Sequence, residues 1–177
     1  MIRLFQGIFR ILGLPVLLFG CIFGLAVSVT AEPLRITGIG PQAKTLSGAE
    51  FAALGLIEVK DGRDITLNGE TRRLEIRYGG VSLPTLLRKL GIETLDRYGL
   101  RSATVVVVAR DGYRASFSWG ELFNHPSGES VVLITQENGA PNPAREGEFS
   151  LRAFGDLRPG PRHVREVAEI RVELLPK

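Results

Sequence analysis

The sequence predicts an α+β domain in which strands outnumber short helices, and three observations carry that reading. Apolar and polar residues alternate with a period of two over residues 34–40, and again at Ile170, Val172 and Leu174, as in half-buried strands. Asn68-Gly69, Asp111-Gly112 and Asn138-Gly139 are the residue pairs that tight turns between antiparallel strands demand. Helix signals are confined to short segments, so turns rather than helical crossovers join most strands, which favours a mixed α+β domain over a doubly wound one.

Ahead of that domain, residues 1–31 have the composition of an export signal. Arg3 and Arg10 stand without an acidic residue, residues 11–27 form an apolar run, and Val29-Thr30-Ala31 precedes Glu32. Cleavage after Ala31 is expected, which would leave residues 32–177 soluble in the periplasm. Two other readings of the same residues stay open. One is an uncleaved anchor, because the run is only slightly short of the roughly 20 residues a span needs. The other is a lipid-modified Cys21 after Leu18-Phe19-Gly20.

Removing residues 1–31 takes away two of the 22 basic residues and none of the 19 acidic ones. A nearly neutral domain, with charges interleaved as in Arg72-Arg73-Leu74-Glu75, argues against a nucleic-acid binder, which gathers positive charge to neutralise phosphates. Residues 32–177 suit one domain with one core. Cys21 is the chain's one cysteine, so that core must hold without disulfides even in an oxidising compartment.

The elements follow in order. Residues 34–40 read as a strand, and Ser47-Gly48-Ala49-Glu50 is a capping-box pattern opening a helix through Leu54. Residues 57–59 and 65–67 are short strands, Asn68-Gly69 turns the chain, and residues 71–78 return. After Gly79-Gly80, residues 81–90 read as a helix with Pro84 in its first turn and Gly91 past its end. Residues 104–109 are a nearly continuous apolar strand of the kind buried on both faces. Asp111-Gly112 leads into a strand over 113–117, and Ser118-Trp119-Gly120-Glu121 caps a helix through Phe123. Strands over 131–135 and 149–154, a Gly/Pro/Arg loop over 155–162 and a final strand at 170–174 complete the domain.

Taken in order, these phrases resemble a known family. The helix phrase Gly80-Val81-Ser82-Leu83-Pro84-Thr85-Leu86-Leu87, then Asp111-Gly112-Tyr113, Asn138-Gly139 and Gly160-Pro161-Arg162-His163-Val164 before Ile170-Arg171-Val172, are similar to the oxidoreductase molybdopterin-binding domain of the sulfite oxidase family. The resemblance spans residues 34–174 and implies that family's fold, mixed twisted β-sheets with short helices around a groove for a pterin. Catalytic members also hold molybdenum through one cysteine ahead of the helix phrase, and residues 60–80 contain none. A thiolate is the soft anionic ligand that centre wants, and Ser82 or Thr71 would be a harder, far less acidic substitute.

The resemblance therefore implies one of the small exported members that bind a metal-free pterin and report it to a membrane-bound signalling partner such as a cyclic-dinucleotide enzyme. The alternative is a molybdopterin-dependent oxidoreductase with atypical metal ligation. A pterin offers a flat face for stacking and an edge whose amino group and ring N–H one carboxylate can accept in parallel. Trp119, the chain's one tryptophan, and Tyr113 are the stacking candidates. Asp156 is the first choice for the pterin edge and Glu137, before Asn138-Gly139, the second. Arg158 and Arg162 could grip a carbonyl or a phosphorylated side chain, unless Glu166 pairs with them. His163 is a further ligand candidate, while His125 reads as a loop residue. The two histidines are isolated from each other and from any cysteine, so no dedicated metal site is expected.

Overall fold

The structure, a computed structural model, describes residues 32–158 and 160–174; the expected export signal at residues 1–31 lies outside them. Along the chain run β1 (Leu34–Thr37), β2 (Lys44–Leu46), α1 (Gly48–Ala52), β3 (Ile57–Leu67), β4 (Glu70–Ser82), α2 (Leu83–Lys89) and α3 (Arg97–Leu100). The second half adds β5 (Thr104–Ala109), β6 (Arg114–Ser118), α4 (Trp119–Phe123), β7 (Val131–Glu137), β8 (Ala140–Pro141), β9 (Ser150–Ala153) and β10 (Val167–Glu173). The expected class holds: two sheets joined largely by tight turns, with helices of seven residues or fewer.

One sheet has the strand order β2-β1-β10-β5-β6, with β1 parallel to β10 and the other pairs antiparallel. The other has the order β3-β4-β7-β8, and β9 also pairs with β7. A single apolar cluster draws on both sheets and on α2, through Ile36, Val107 and Ile170, Val81, Leu133 and Leu151, and Leu83, Leu86 and Leu87. Period-two alternation puts Val132 and Ile134 on the opposite face of β7, where they pack with Ile76 and Tyr78 in a second, smaller cluster. β7 is thus buried on both faces. In β5, Val105 and Val107 are fully buried while Val106 on the other face is only half-buried, so the expected two-sided burial is partial there.

Asn68 and Gly69 adopt φ of 51° and 82°, the paired positive angles of a tight hairpin turn. The hairpin they close is longer than the sequence suggested. β3 and β4 pair without interruption from Leu67↔Glu70 down to Ile57↔Gly80, through the charged stretch Lys60-Asp61-Gly62-Arg63-Asp64. Strand propensity fails on that stretch because Glu70 to Glu75 of β4 are all exposed; the distal ribbon needs partners for its backbone, not an apolar face.

Gly79-Gly80 does not end the strand either. β4 continues through Ser82, with a register shift between the two glycines where it pairs with β7. A Cβ on Gly80 would lie 2.2 Å from the Leu133 carbonyl oxygen, so the absent side chain lets the β7 backbone close against β4. The helix then starts at Leu83, with Ser82 as its cap accepting from Thr85 N–H at 3.3 Å, and Gly91 follows at φ 87°. At α1 the full capping box forms between Ser47 and Glu50. At α4 only half does: Ser118 accepts from the Glu121 N–H, and the Glu121 carboxylate turns elsewhere.

Candidate functional site

Glu121 turns towards Arg162, in the loop that follows β9. The Arg162 guanidinium is held on both sides, by a bidentate pair with Asp156, whose Nε–Oδ2 distance is 2.9 Å, and by a contact from Nη1 to Glu121 Oε1. Its flat face lies 4.9 Å from the centre of the Phe117 ring. The Asp156 hydrogen bonds raise the guanidinium pKa; partial burial opposes them, and Glu121 adds to them. The expected alternative partner, Glu166, makes none of these contacts. Asp156 and Glu121 take its place because the loop doubles back so that residues six positions apart meet, while α4 approaches from the other side.

Beneath the loop lies a buried carboxylate that sequence reasoning missed. Glu146 is 2% exposed, and its Oε2 is 2.6 Å from Nε2 of His163. Arg152 Nη2 and Arg165 Nε each lie 3.5 Å from its Oε1. Burial pushes the Glu146 carboxyl up, but the His163 hydrogen bond and the surrounding cations outweigh burial and hold it below the usual carboxylate range. Glu146 in Arg145-Glu146-Gly147 looks like any solvated turn acid, and only the fold brings Arg152 of β9 and His163 and Arg165 of the loop onto it. Arg152 in turn lies over the Tyr78 ring at 5.1 Å.

Arg152, Asp156, Arg162 and His163 line a pocket of ≈ 210 Å³ between the middle of the β3–β4 hairpin and the loop, whose wall also includes Asp61 and Phe154. Its neighbour, a more open hollow of ≈ 340 Å³, shares Gly160 and His163 with it and adds Tyr113. The Tyr113 hydroxyl donates to the Pro161 carbonyl at 2.6 Å, pinning the loop between the two hollows. Asp156, Arg162 and His163 are therefore gathered on one loop, and Tyr113 reaches it from the turn before β6.

The other candidates lie elsewhere. Trp119 stacks on Phe123, ring centres 3.9 Å apart, in a separate cleft. Glu137 ends β7, 3.6 Å from Arg145. Arg158 is exposed on the loop. His125 caps the short helical turn Pro126–Ser130, accepting from Ser127 N–H at 3.2 Å.

No family model matches the chain, and no curated protein matches it in sequence. Its fold is shared with the sulfane dehydrogenase SoxCD from Paracoccus pantotrophus. The two superpose with a TM-score of 0.58 at 14% identity, over 80% of this chain and 38% of that one. So distant a likeness establishes the fold alone, and this chain spans well under half of the dehydrogenase chain.

The donor set does not fit a thiolate-held metal. Residues 32–177 contain no cysteine. Thr71 is exposed on the hairpin, its hydroxyl 3.0 Å from that of Thr66. Ser82 is buried, and its hydroxyl caps α2 while donating to Glu129. The pocket instead presents fixed hydrogen-bonding groups of both signs beside an aromatic wall.

Proposed function

We propose that residues 32–177 form an exported, non-catalytic pterin-binding protein. The observation that carries this reading is the convergence of Asp156, Arg162 and His163 with Phe154 on one pocket of ≈ 210 Å³. That volume is below the roughly 300 Å³ at which pockets for larger ligands begin, and it suits a bicyclic ring better than a nucleotide-bearing cofactor. Arg162 fixes the Asp156 carboxylate in orientation and occupies its two parallel lone pairs, leaving on each oxygen an outward-pointing lone pair that can accept a single N–H of a pterin edge. Phe154 supplies a surface for the ring, and Arg152 is a donor for a ring carbonyl or nitrogen.

The export pattern in residues 1–31 supports a periplasmic location, and a ligand pocket without a thiolate to hold a metal suits a protein that reports occupancy to a partner in the inner membrane, a cyclic-dinucleotide enzyme. Calorimetric titration with oxidised and tetrahydro pterins tests the binding. Asp156→Asn should weaken both by about 1.5–3 kcal/mol, as expected for a charge-assisted pair. Unchanged affinity in a folded variant removes Asp156 from the site. Stoichiometric molybdenum in protein purified from its native compartment overturns the metal-free reading.

A further inference from the structure

A cleft of ≈ 620 Å³ lies apart from the loop, walled by Trp119, Gly120 and Phe123 and by Arg88, Arg97 and Arg101, with one acid, Glu93, 3.9 Å from Arg88. We infer that this cleft is a second ligand site, for a planar aromatic ring carrying a phosphate, of the nucleoside monophosphate class. Its volume is within the range of small-molecule sites. The stacked pair Trp119 and Phe123 forms one wall, and Trp119 is only half-buried, leaving ring surface open to the cleft.

Charge on the other walls is unevenly spent. Arg88 is neutralised by Glu129 at 2.8 Å and lies over the Phe123 ring at 5.2 Å. Arg97 and Arg101 have no carboxylate partner among the described residues; Arg101 lies 5.2 Å from the exposed ring of Tyr98. Two uncommitted guanidinium groups match a phosphate dianion in charge and in bidentate geometry.

Gly120 adds an independent observation. A glycine inside a helix costs stability relative to alanine. This one needs no positive φ, and a Cβ built on it meets nothing within 4 Å. Packing and backbone conformation within the chain therefore give no reason for glycine at this position. It lines the cleft beside Trp119, where a missing side chain admits a flat ligand to the ring.

Trp119 is the chain's one tryptophan, so its fluorescence reads this cleft directly. Titration of the full chain with guanosine and adenosine 5′-monophosphates should quench it saturably, and the unphosphorylated nucleosides should bind at least about tenfold more weakly. Arg97→Ala combined with Arg101→Ala should abolish that preference. Gly120→Ala should leave thermal stability equal or higher while lowering affinity about tenfold. No saturable quenching, equal quenching by nucleosides, or undiminished binding in the Gly120→Ala protein overturns the proposal.

Discussion

Glu146 and His163, 17 positions apart in sequence, meet at 2.6 Å in the interior, beneath a loop that carries most of the candidate ligand groups. The contact ties His163 in the pocket wall to a buried carboxylate behind it. Glu146→Ala would leave Arg152 and His163 without their shared anion, and should cost about 3–5 kcal/mol in urea unfolding, the usual penalty for breaking a buried ion pair from one side. A loss below about 1 kcal/mol would show that water already screens the cluster.

The same carboxylate predicts an acid limit to stability. Its folded-state pKa lies below the ordinary 4.5, so the unfolded chain takes up the proton first. The stabilisation is therefore complete above that ordinary value and is lost as pH falls through the lower folded value. Melting temperature measured from neutral pH down into that range should fall more steeply for the wild type than for Glu146→Gln. Parallel curves would assign acid sensitivity to other groups, Glu129 and Glu169 being lowered as well.

Arg162 is gripped by two carboxylates through a planar fork, a geometry a lysine cannot reproduce. Arg162→Lys should keep the charge yet destabilise by about 1–2 kcal/mol, the worth of a charged hydrogen bond lost. In a double-mutant cycle with Asp156→Asn the two losses should fall short of adding; strict additivity would mean the pair contributes nothing.

Trp119 stands outside the pocket proposed for the pterin. Trp119→Ala should cost about 2 kcal/mol through lost packing on Phe123 and the core, less than a fully buried tryptophan. Pterin affinity by calorimetry should be unchanged. A drop of tenfold or more would move the pterin to the Trp119 cleft.

Gly80 sits where β4 meets β7 with no room for a methyl group, since the Leu133 carbonyl oxygen would be 2.2 Å from it. Gly80→Ala should therefore cost about 1–3 kcal/mol, by displacing one strand from the other. Chemical denaturation measures it. A neutral result would mean that β7 shifts freely, against its burial on both faces.

Local signals were enough to write most of the elements. Turn pairs such as Asn68-Gly69, the Ser47 and Ser118 caps and the period-two strands are chemistry between residues a few positions apart, and each was visible in the sequence. The charged middle of β3 was not, because it is a strand only by virtue of β4 lying opposite. Glu121 could be read as half of a capping box, but whether it turned back to Ser118 or out to Arg162 depended on a residue 41 positions away.

By itself, then, the sequence determined the α+β class, the short helices, the absence of any cysteine after Cys21, and the Gly/Pro/Arg loop of residues 155–162. Tertiary structure alone decided that Asp156, Arg162, His163 and Tyr113 share that loop's surroundings, that Trp119 belongs to another cleft, and that Glu146 is buried against Arg152, His163 and Arg165. The physical reason is range. Turns, caps and alternation are set by neighbours along the chain, whereas a carboxylate's partners and its burial are set by which distant strands pack together, and no pattern in the residues beside Glu146 encodes that.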